Sequence, residues 1–374
     1  MPPSSFKDYV EEVRAASDIV EVIGEAVQLR RAGRRLVGLC PFHQEKAPSF
    51  QVDPDRGVFH CFGCRAGGSV FDFIMHLHGL EFAEAAMLLG DRLGIPRPRA
   101  RSQSGPREES RRRKLLEALA EAQRLFRKSL EEPGADQARR YLENRGFDEA
   151  ARERFELGLA PPGWDFLLTR LSGRGYDTDL LSEAGLVSRS DDGGRVYDRF
   201  RHRITFPIRD SAGRVVSFGG RALDDSPAKY LNGPETVVFD KRRTLFRIFE
   251  ASREIRDDGQ AIVVEGYFDA LSLAAAGVRG VVAACGTALG ADQARLLRRR
   301  CQRVVLFLDG DRAGREAARR SLGVFLKEGL GVRVALAGEG RDPDDLARAE
   351  GPEGVSSALD GALEFPEFLA GEAS

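Results

Sequence analysis

The sequence predicts a multidomain protein, α+β through its first two thirds and α/β toward its end. Three observations carry this. Cysteine and histidine crowd into one short N-terminal stretch; the segment from about 193 to 240 alternates apolar and polar residues by twos; and from 260 onward short β-branched runs alternate with helical periodicity. At 374 residues the chain is long for one core and suits two or three. With 42% hydrophobic and 31% charged residues it has the composition of a globular protein, not a disordered or fibrous one.

Taken in order, residues 1–96 form a first unit that holds the Cys/His cluster. Residues 97–113, "RPRARSQSGPREESRRR", read as an exposed linker, because Pro, Gly, Ser and Arg replace any apolar period. "KLLEALAEAQRLFRKSLEE" from Lys114 is helical by spacing and stops at Pro133-Gly134, opening a basic second unit over 114–250. Within it "GGRVYDRFRHRITFPIRDSAGRVVSFGGRAL" reads as antiparallel strands with Asp-Ser-Ala-Gly as a turn. A third unit, 251–345, alternates strands "AIVVEG", "VRGVVAACG", "QRVVLFLDGD" and "LGVRVALAG" with helices, the pattern of a parallel sheet with crossover connections. Residues 346–374 read as the start of a helical subdomain.

Charge divides unevenly along the chain. Residues 195–247 carry 12 Arg or Lys against 6 Asp or Glu, and residues 251–374 carry 16 against 20. A basic middle and an acidic end suit a polyanion held on one surface and metal cations on another. The first twenty residues have no apolar core and no uncharged apolar run approaches ~18 residues, so no membrane segment is expected and the cytoplasm is the default location.

Cys40, His43, Cys61 and Cys64 are spaced Cys-x2-His-x17-Cys-x2-Cys, two turns that each offer a pair of ligands. This is the tetrahedral set that suits one structural Zn²⁺, with no open position for chemistry. His60 stands outside the pairs and is expected to be a neighbour. Cys285 and Cys301 are expected to be core residues, and His76, His78 and His202 surface or packing residues. Arg34, Arg35, Lys46 and Arg56 with Phe50, Phe59 and Phe62 offer a surface for phosphates and unpaired bases, or equally a charged face over a small aromatic core.

The acidic residues fall at predicted strand ends. Glu265 follows "AIVV", Asp309 and Asp311 follow "VVLFL", and "GRDPDD" brings Asp342 and Asp344 after "VRVALAG". Carboxylates from separate strands of an open parallel sheet converge at its carboxyl edge. Asp309 and Asp311, two apart, are expected on one side of an extended segment. Hard oxygen donors in this number suit Mg²⁺ or Mn²⁺ bound with the help of substrate phosphates. Arg199, Arg201 and Arg203 alternate in "DRFRHRITF" and are expected to share one strand face, with Arg221, Lys229 and Lys241 extending the positive surface.

These stretches resemble the bacterial DnaG-type primases. "CPFHQEKAPSF", "FHCFGC" and "GGSVFDFI" are similar to that family's zinc-ribbon domain; "YLENRGF", "RITFPIRD", "GRVVSFGGRAL" and "AKYLNGPET" to its RNA polymerase domain; and "EGYFDALSL", "GTAL", "FLDGDRAGREAA" and "GRDPDD" to its Toprim fold, a Rossmann-like parallel sheet flanked by helices. The resemblance implies that Glu265, Asp269, Asp309 and Asp311 are catalytic, with Glu265 a candidate acid or base. It also implies that Glu265, Asp309, Asp311, Asp342 and Asp344 hold Mg²⁺ or Mn²⁺. Arg145, Arg199, Arg201, Arg203, Arg221, Lys229, Tyr230, Asn232 and Lys241 are implied to hold template or nucleotide. The implied partners are single-stranded DNA, ribonucleoside triphosphates and a replicative helicase, in a replisome at the nucleoid. The family continues through a helical subdomain, of which only the start is expected here, into a helicase-binding domain, which the stretch ending "ALEFPEFLAGEAS" is not expected to include.

Two other functions compete with primer synthesis. A Toprim-class topoisomerase or nuclease needs a nucleophilic tyrosine, usually beyond the Toprim segment, and none of the six tyrosines follows Tyr267. A fused hexameric helicase is set aside because no G-x4-G-K-[ST] loop occurs. A non-catalytic single-strand binder is the third reading, against which every acidic position is retained.

Overall fold

In the computed structural model, which describes residues 6–78, 80, 82–96, 106–190 and 194–372, the chain divides into two units. Residues 6–96 belong to the first, and residues 106–210 with 214–372 to the second.

The first unit wraps helices around a small antiparallel sheet. Its five strands, β1 (Arg30–Ala32), β2 (Arg35–Gly38), β3 (Phe50–Asp53), β4 (Val58–Cys61) and β5 (Gly67–Gly68), pair in sequence order. Alternation along β3 and β4 sends Phe50, Val52, Phe59 and Cys61 inward. There Phe50 and Phe59 stack at 5.2 Å, and Phe73 of the helix Val70–His78 meets Phe59 edge-on. Of the three aromatics considered for stacking on bases, Phe50 and Phe59 are thus core and only Phe62, 62% exposed, faces solvent.

The second unit carries two larger sheets. The first orders β6 (Gly158–Ala160), β9 (Arg203–Arg209), β10 (Val215–Ala222) and β11 (Tyr230–Asn232) as β11-β10-β9-β6, all antiparallel; β7 (Val187–Arg189) and β8 (Val196–Asp198) form a separate ribbon. The second orders β12 (Leu245–Phe246), β13 (Gln260–Val264), β14 (Val281–Ala284), β15 (Arg303–Leu308), β16 (Gly331–Leu336) and β17 (Leu363–Glu364) as β12-β14-β13-β15-β16-β17. Its four central strands are parallel and buried on both faces, which is why they read as unbroken apolar runs.

Three expectations change. The linker expected over 97–113 is already helix from Pro106, in a helix that runs to Glu131; residues 97–105 lie outside the described residues. Proline suits a first helical turn, Glu108 and Glu109 favour the helix N-terminus, and Arg111 and Arg113 pair with Glu183 and Glu117, so charge replaces an apolar stripe there.

The row Arg199, Arg201, Arg203 is not a strand face. β8 ends at Asp198 and β9 starts at Arg203, and between them His202 takes φ +49°. Consequently the three guanidinium groups diverge.

Residues 346–364 do not start a separate subdomain. The helical segment Pro343–Asp360, kinked at Gly351 and Pro352 into two helices, packs on the helix Tyr267–Ala275 and on β15 and β16, and β17 pairs with β16 at the sheet edge. The sheet also begins before residue 251, because β12 pairs with β14.

Candidate metal centres and nucleic-acid interface

The first centre is built from two turns. Cys40 follows β2, Cys61 ends β4, and the ligand atoms of Cys40, His43, Cys61 and Cys64 all lie within 4.8 Å of one another. The Cys40 and Cys64 sulfurs are 3.8 Å apart, as are the Cys61 sulfur and His43 Nδ1. A tetrahedron with Zn–S bonds of about 2.3 Å has edges of about 3.8 Å, so this set fits Zn²⁺. Its surroundings fit as well. Glu45 accepts from the Cys40 and Ser49 N–H groups at 2.7 and 3.1 Å and lies 3.2 Å from His43 Nε2, which directs Nδ1 toward the sulfurs. His60 is not in this group; its ring meets Phe62 at 4.6 Å. Arg34 and Arg35 are tied to Asp55 and Asp53.

The second centre lies at the carboxyl edge of the parallel sheet. The pairing of Val263 with Leu306 and of Leu308 with Leu336 aligns the ends of β13, β15 and β16, which release Glu265, Asp309 and the loop to Asp342 side by side. Gly310 makes this convergence possible. A Cβ there would lie 1.6 Å from the Gly338 carbonyl oxygen, and its N–H donates to the Arg341 carbonyl at 3.0 Å. Only glycine lets the Asp309 turn and the 338–342 loop lie this close.

Electrostatics confirm how crowded the carboxylates are. Burial, then the charges of Glu265, Asp342, Asp311 and Asp345, push Asp309 up to about 6. Burial, then Asp342 and Asp309, push Asp269 up to about 7, against the N–H bonds from Gly266 and Asp344 that favour its ionised form. Partial desolvation and Asp311 raise Glu265, which Arg320 opposes, and burial raises Asp342. This excess of negative charge on oxygen donors fits a divalent cation.

The acidic residues differ in what they do locally. Asp311 caps the helix Arg312–Lys327 through Gly314 N–H at 2.8 Å, and Asp342 caps Pro343–Asp360 through Asp345 N–H at 2.6 Å. Asp269 bridges Gly266 N–H at 2.9 Å and Asp344 N–H at 3.3 Å. Asp344 is buried, bonded to Arg145 and to Ser272 Oγ, with Arg348 Nε at 3.3 Å. The oxygens of Asp342, Asp344 and Asp345 lie within 4.8 Å of one another, so Asp345 joins two of the expected ligands, while Glu265, Asp309 and Asp311 stand outside this trio. Asp345 closes the stretch "GRDPDD" with no pattern of its own to mark it, and nothing in the sequence marks Ser272, Arg320 or Arg348.

The basic residues separate into groups. Arg145 lies over the Phe268 and Tyr141 rings at 4.6 and 5.3 Å and reaches Asp344. Arg221 lies over Tyr230 at 4.9 Å, and Tyr230 is 6.4 Å from Tyr267. Asn232 accepts from the Tyr267 hydroxyl at 2.5 Å through its side chain and from Arg199 at 3.0 Å through its carbonyl. A Cβ at Gly286, in the "GTAL" turn after β14, would strike the Asn232 amide at 1.8 Å, so β11 is seated directly against that turn.

Arg203 is buried and donates to the Ala228 carbonyl at 2.8 Å, and burial lowers both Arg199 and Arg203. Arg201 lies instead over Trp164 at 4.2 Å and Tyr197 at 4.9 Å, with Arg195 also over Trp164 at 4.9 Å. Trp164, 48% exposed and the single tryptophan, went unnoticed in sequence because 37 residues separate it from its arginine. Lys229 is exposed, and Lys241 is half-buried with its carbonyl bonded to Gln293.

Cys285 and Cys301 are buried, and His202 reaches Asp224 at 3.2 Å. Among the described residues no helix is long and apolar enough to cross a membrane.

Comparison with known proteins matches three family models along the chain: a CHC2 zinc finger over residues 5–104, the DNA primase catalytic core N-terminal domain over 125–252, and a Toprim-like segment over 262–347. The DNA primase of Halalkalibacterium halodurans is 42% identical over 93% of this chain and 58% of its own length; that of Escherichia coli is 40% identical over 96% and 63%. The chain thus spans about three fifths of the length of these relatives. The crystal structure of the zinc-binding and RNA polymerase domains of the Aquifex aeolicus primase is 34% identical with a TM-score of 0.66, covering 96% of this chain and 87% of that one. A DnaG primase catalytic domain solved bound to single-stranded DNA is 40% identical with a TM-score of 0.65, covering 70% and 83%. With zinc finger, primase core and Toprim segment in this order and these relatives along nearly its whole length, the chain belongs to the DnaG-type primase family.

Proposed function

We propose that this protein is a DNA primase that makes short RNA primers de novo on single-stranded DNA by metal-dependent nucleotidyl transfer, using ribonucleoside triphosphates. The observation that carries the reading is the convergence of Glu265, Asp309 and Asp342 at one sheet edge, beside Arg145 from the turn after the helix Asp136–Glu143 and, next to Arg145, Tyr230 and Arg221 of the neighbouring sheet. Glu265, Asp309, Asp311 and Asp342, with Asp344 and Asp345 beside them, would hold Mg²⁺ or Mn²⁺. Such an ion, when bound, supplies Lewis-acid charge to the reacting phosphate and favours ionisation of the attacking 3′-hydroxyl.

The chain's own residues do the rest. Asp269 fixes the turn after β13 and so aims Glu265. Glu265, the most exposed of the raised carboxyls, would take the hydroxyl proton. Arg221, Lys229 and Lys241 give phosphates a positive wall. Trp164 under Arg201 and Arg195 offers unpaired bases a stacking platform, and Phe62 beside His60 offers a second one on the zinc-bearing unit. Helicase recruitment belongs to the family's full-length members and is proposed here only as an expected partnership at the replisome.

The deciding experiment is primer synthesis on single-stranded DNA with ribonucleotides and Mg²⁺ or Mn²⁺. Asp309→Ala should abolish dinucleotide formation while DNA binding persists. Undiminished synthesis by a folded Asp309→Ala protein would sink the proposal, and binding without synthesis by the unsubstituted protein would favour a non-catalytic binder.

A further inference from the structure

Inside the acidic cluster stands a cation of the protein's own. Asp344 belongs to the trio with Asp342 and Asp345, yet its side chain is 2% exposed and engaged on both oxygens. One accepts from Arg145 and lies 3.3 Å from Arg348 Nε; the other accepts from Ser272 Oγ at 2.5 Å. A buried carboxylate without counter-charge is costly, and Arg145 and Arg348 offset that cost together.

Arg145 also stands at the border of the basic group. Its guanidinium lies over Phe268, its side chain is 23% exposed, and it acts electrostatically on Tyr230, the ring that carries Arg221. One guanidinium has one unit of charge to give. Paired with Asp344, part of its donor set and field is withdrawn from a phosphate, so the two compete for it.

We propose that Arg145 is an exchangeable counter-charge, paired with Asp344 while the trio lacks a divalent ion and passed to a phosphate of the template strand or the incoming nucleotide when an ion takes its place. The proposal rests on the primase reading above. By linkage, ion and phosphate ligand must then tighten each other by the same factor.

The test follows binding, not synthesis, on the whole chain at constant ionic strength. One arm uses a short fluorescein-labelled oligodeoxynucleotide, the other a nucleoside triphosphate; the arm that shows the gain names the source of the phosphate. In the unsubstituted protein Mn²⁺ should tighten binding about five- to tenfold. For the oligonucleotide it should also steepen the dependence of log affinity on log salt by about 0.7, the increment for one further phosphate contact on a single strand.

Asp344→Asn should bind at the tight level with no ion, and Arg145→Ala at the weak level with or without one. Calorimetry on the unsubstituted protein supplies a check that needs no variant: the ligand of the arm that shows the gain should raise Mn²⁺ affinity by the factor seen in reverse. The exchange is overturned if ion-free Asp344→Asn binds no tighter than the unsubstituted protein in either arm, or if Arg145→Ala keeps the whole Mn²⁺-dependent gain. Binding that ignores the ion in both arms, or reciprocity that fails in the arm showing the gain, also overturns it, while leaving the primase reading intact. Absence of oligonucleotide binding under every condition would overturn that reading and the exchange together.

Discussion

Gly310→Ala should disable this protein without removing any ligand or any charge. Gly310 has no left-handed backbone angle, so alanine is not excluded by conformation; what it meets is the Gly338 carbonyl oxygen at 1.6 Å and carbonyl carbon at 2.3 Å. Real Cβ atoms stay at or beyond about 3.0 Å from such groups, so the Asp309 turn and the 338–342 loop must separate by at least about 1.4 Å. That displacement lies along the line between Asp309 and the loop carrying Asp342. A misplacement of about 1 Å in a reacting geometry costs about a hundredfold in rate, and overpacking of this kind costs about 1–3 kcal/mol in stability. Dinucleotide synthesis should therefore fall by at least about a hundredfold, with weaker Mn²⁺ binding by calorimetry and oligonucleotide binding nearly unchanged. Gly323→Ala is the matched control: it lies in an exposed helix position with nothing within 4 Å, and should gain about 0.5–1 kcal/mol. Synthesis and Mn²⁺ affinity within a few-fold of normal in Gly310→Ala would refute the claim that this contact sets the carboxylate spacing.

Chelation of zinc, or Cys61→Ser, should unfold residues 6–96 as followed by helical circular dichroism, because a structural zinc contributes on the order of 10 kcal/mol to a small domain; an unchanged signal with zinc confirmed absent would contradict this. Trp164→Ala should weaken oligonucleotide binding by about 1–3 kcal/mol, and DNA should quench Trp164 fluorescence in the unsubstituted protein. Asp198 is buried and its acid form is favoured up to about 6, even though Leu167 and Leu168 N–H groups bond to it. Its folded value is raised above that of the unfolded chain, so its contribution is complete below about pH 4 and lost as pH rises through about 6. Stability of the second unit, followed by Trp164 fluorescence, should fall by up to roughly 3 kcal/mol across that window, and Asp198→Asn should flatten the slope.

Much of this protein was legible in one dimension. The paired ligands at Cys40, His43, Cys61 and Cys64 are close in sequence within each turn, so local chain geometry already brings them near one another. The strands from Gln260 to Leu336 announce themselves because burial on both faces demands continuous apolar runs, and position at a strand's carboxyl end locates Glu265, Asp309 and Asp342. The arginines were less legible. Alternation by twos implies one face only while the backbone stays extended, and His202 breaks that condition, so Arg199, Arg201 and Arg203 part company.

What the tertiary structure alone decided is which charges meet. Arg145 reaches Asp344 across 199 positions, Asn232 bonds to Tyr267 across 35, and Trp164 lies under Arg201 across 37. Short-range pattern records which elements form and which side faces inward. It carries no record of side-chain pairs joined through sheet packing, since those depend on crossings between elements distant in the chain. The sequence by itself therefore determined the metal-ligand chemistry and the parallel sheet that displays the carboxylates, while packing determined which arginines stand free to meet a phosphate and which are already committed to the protein.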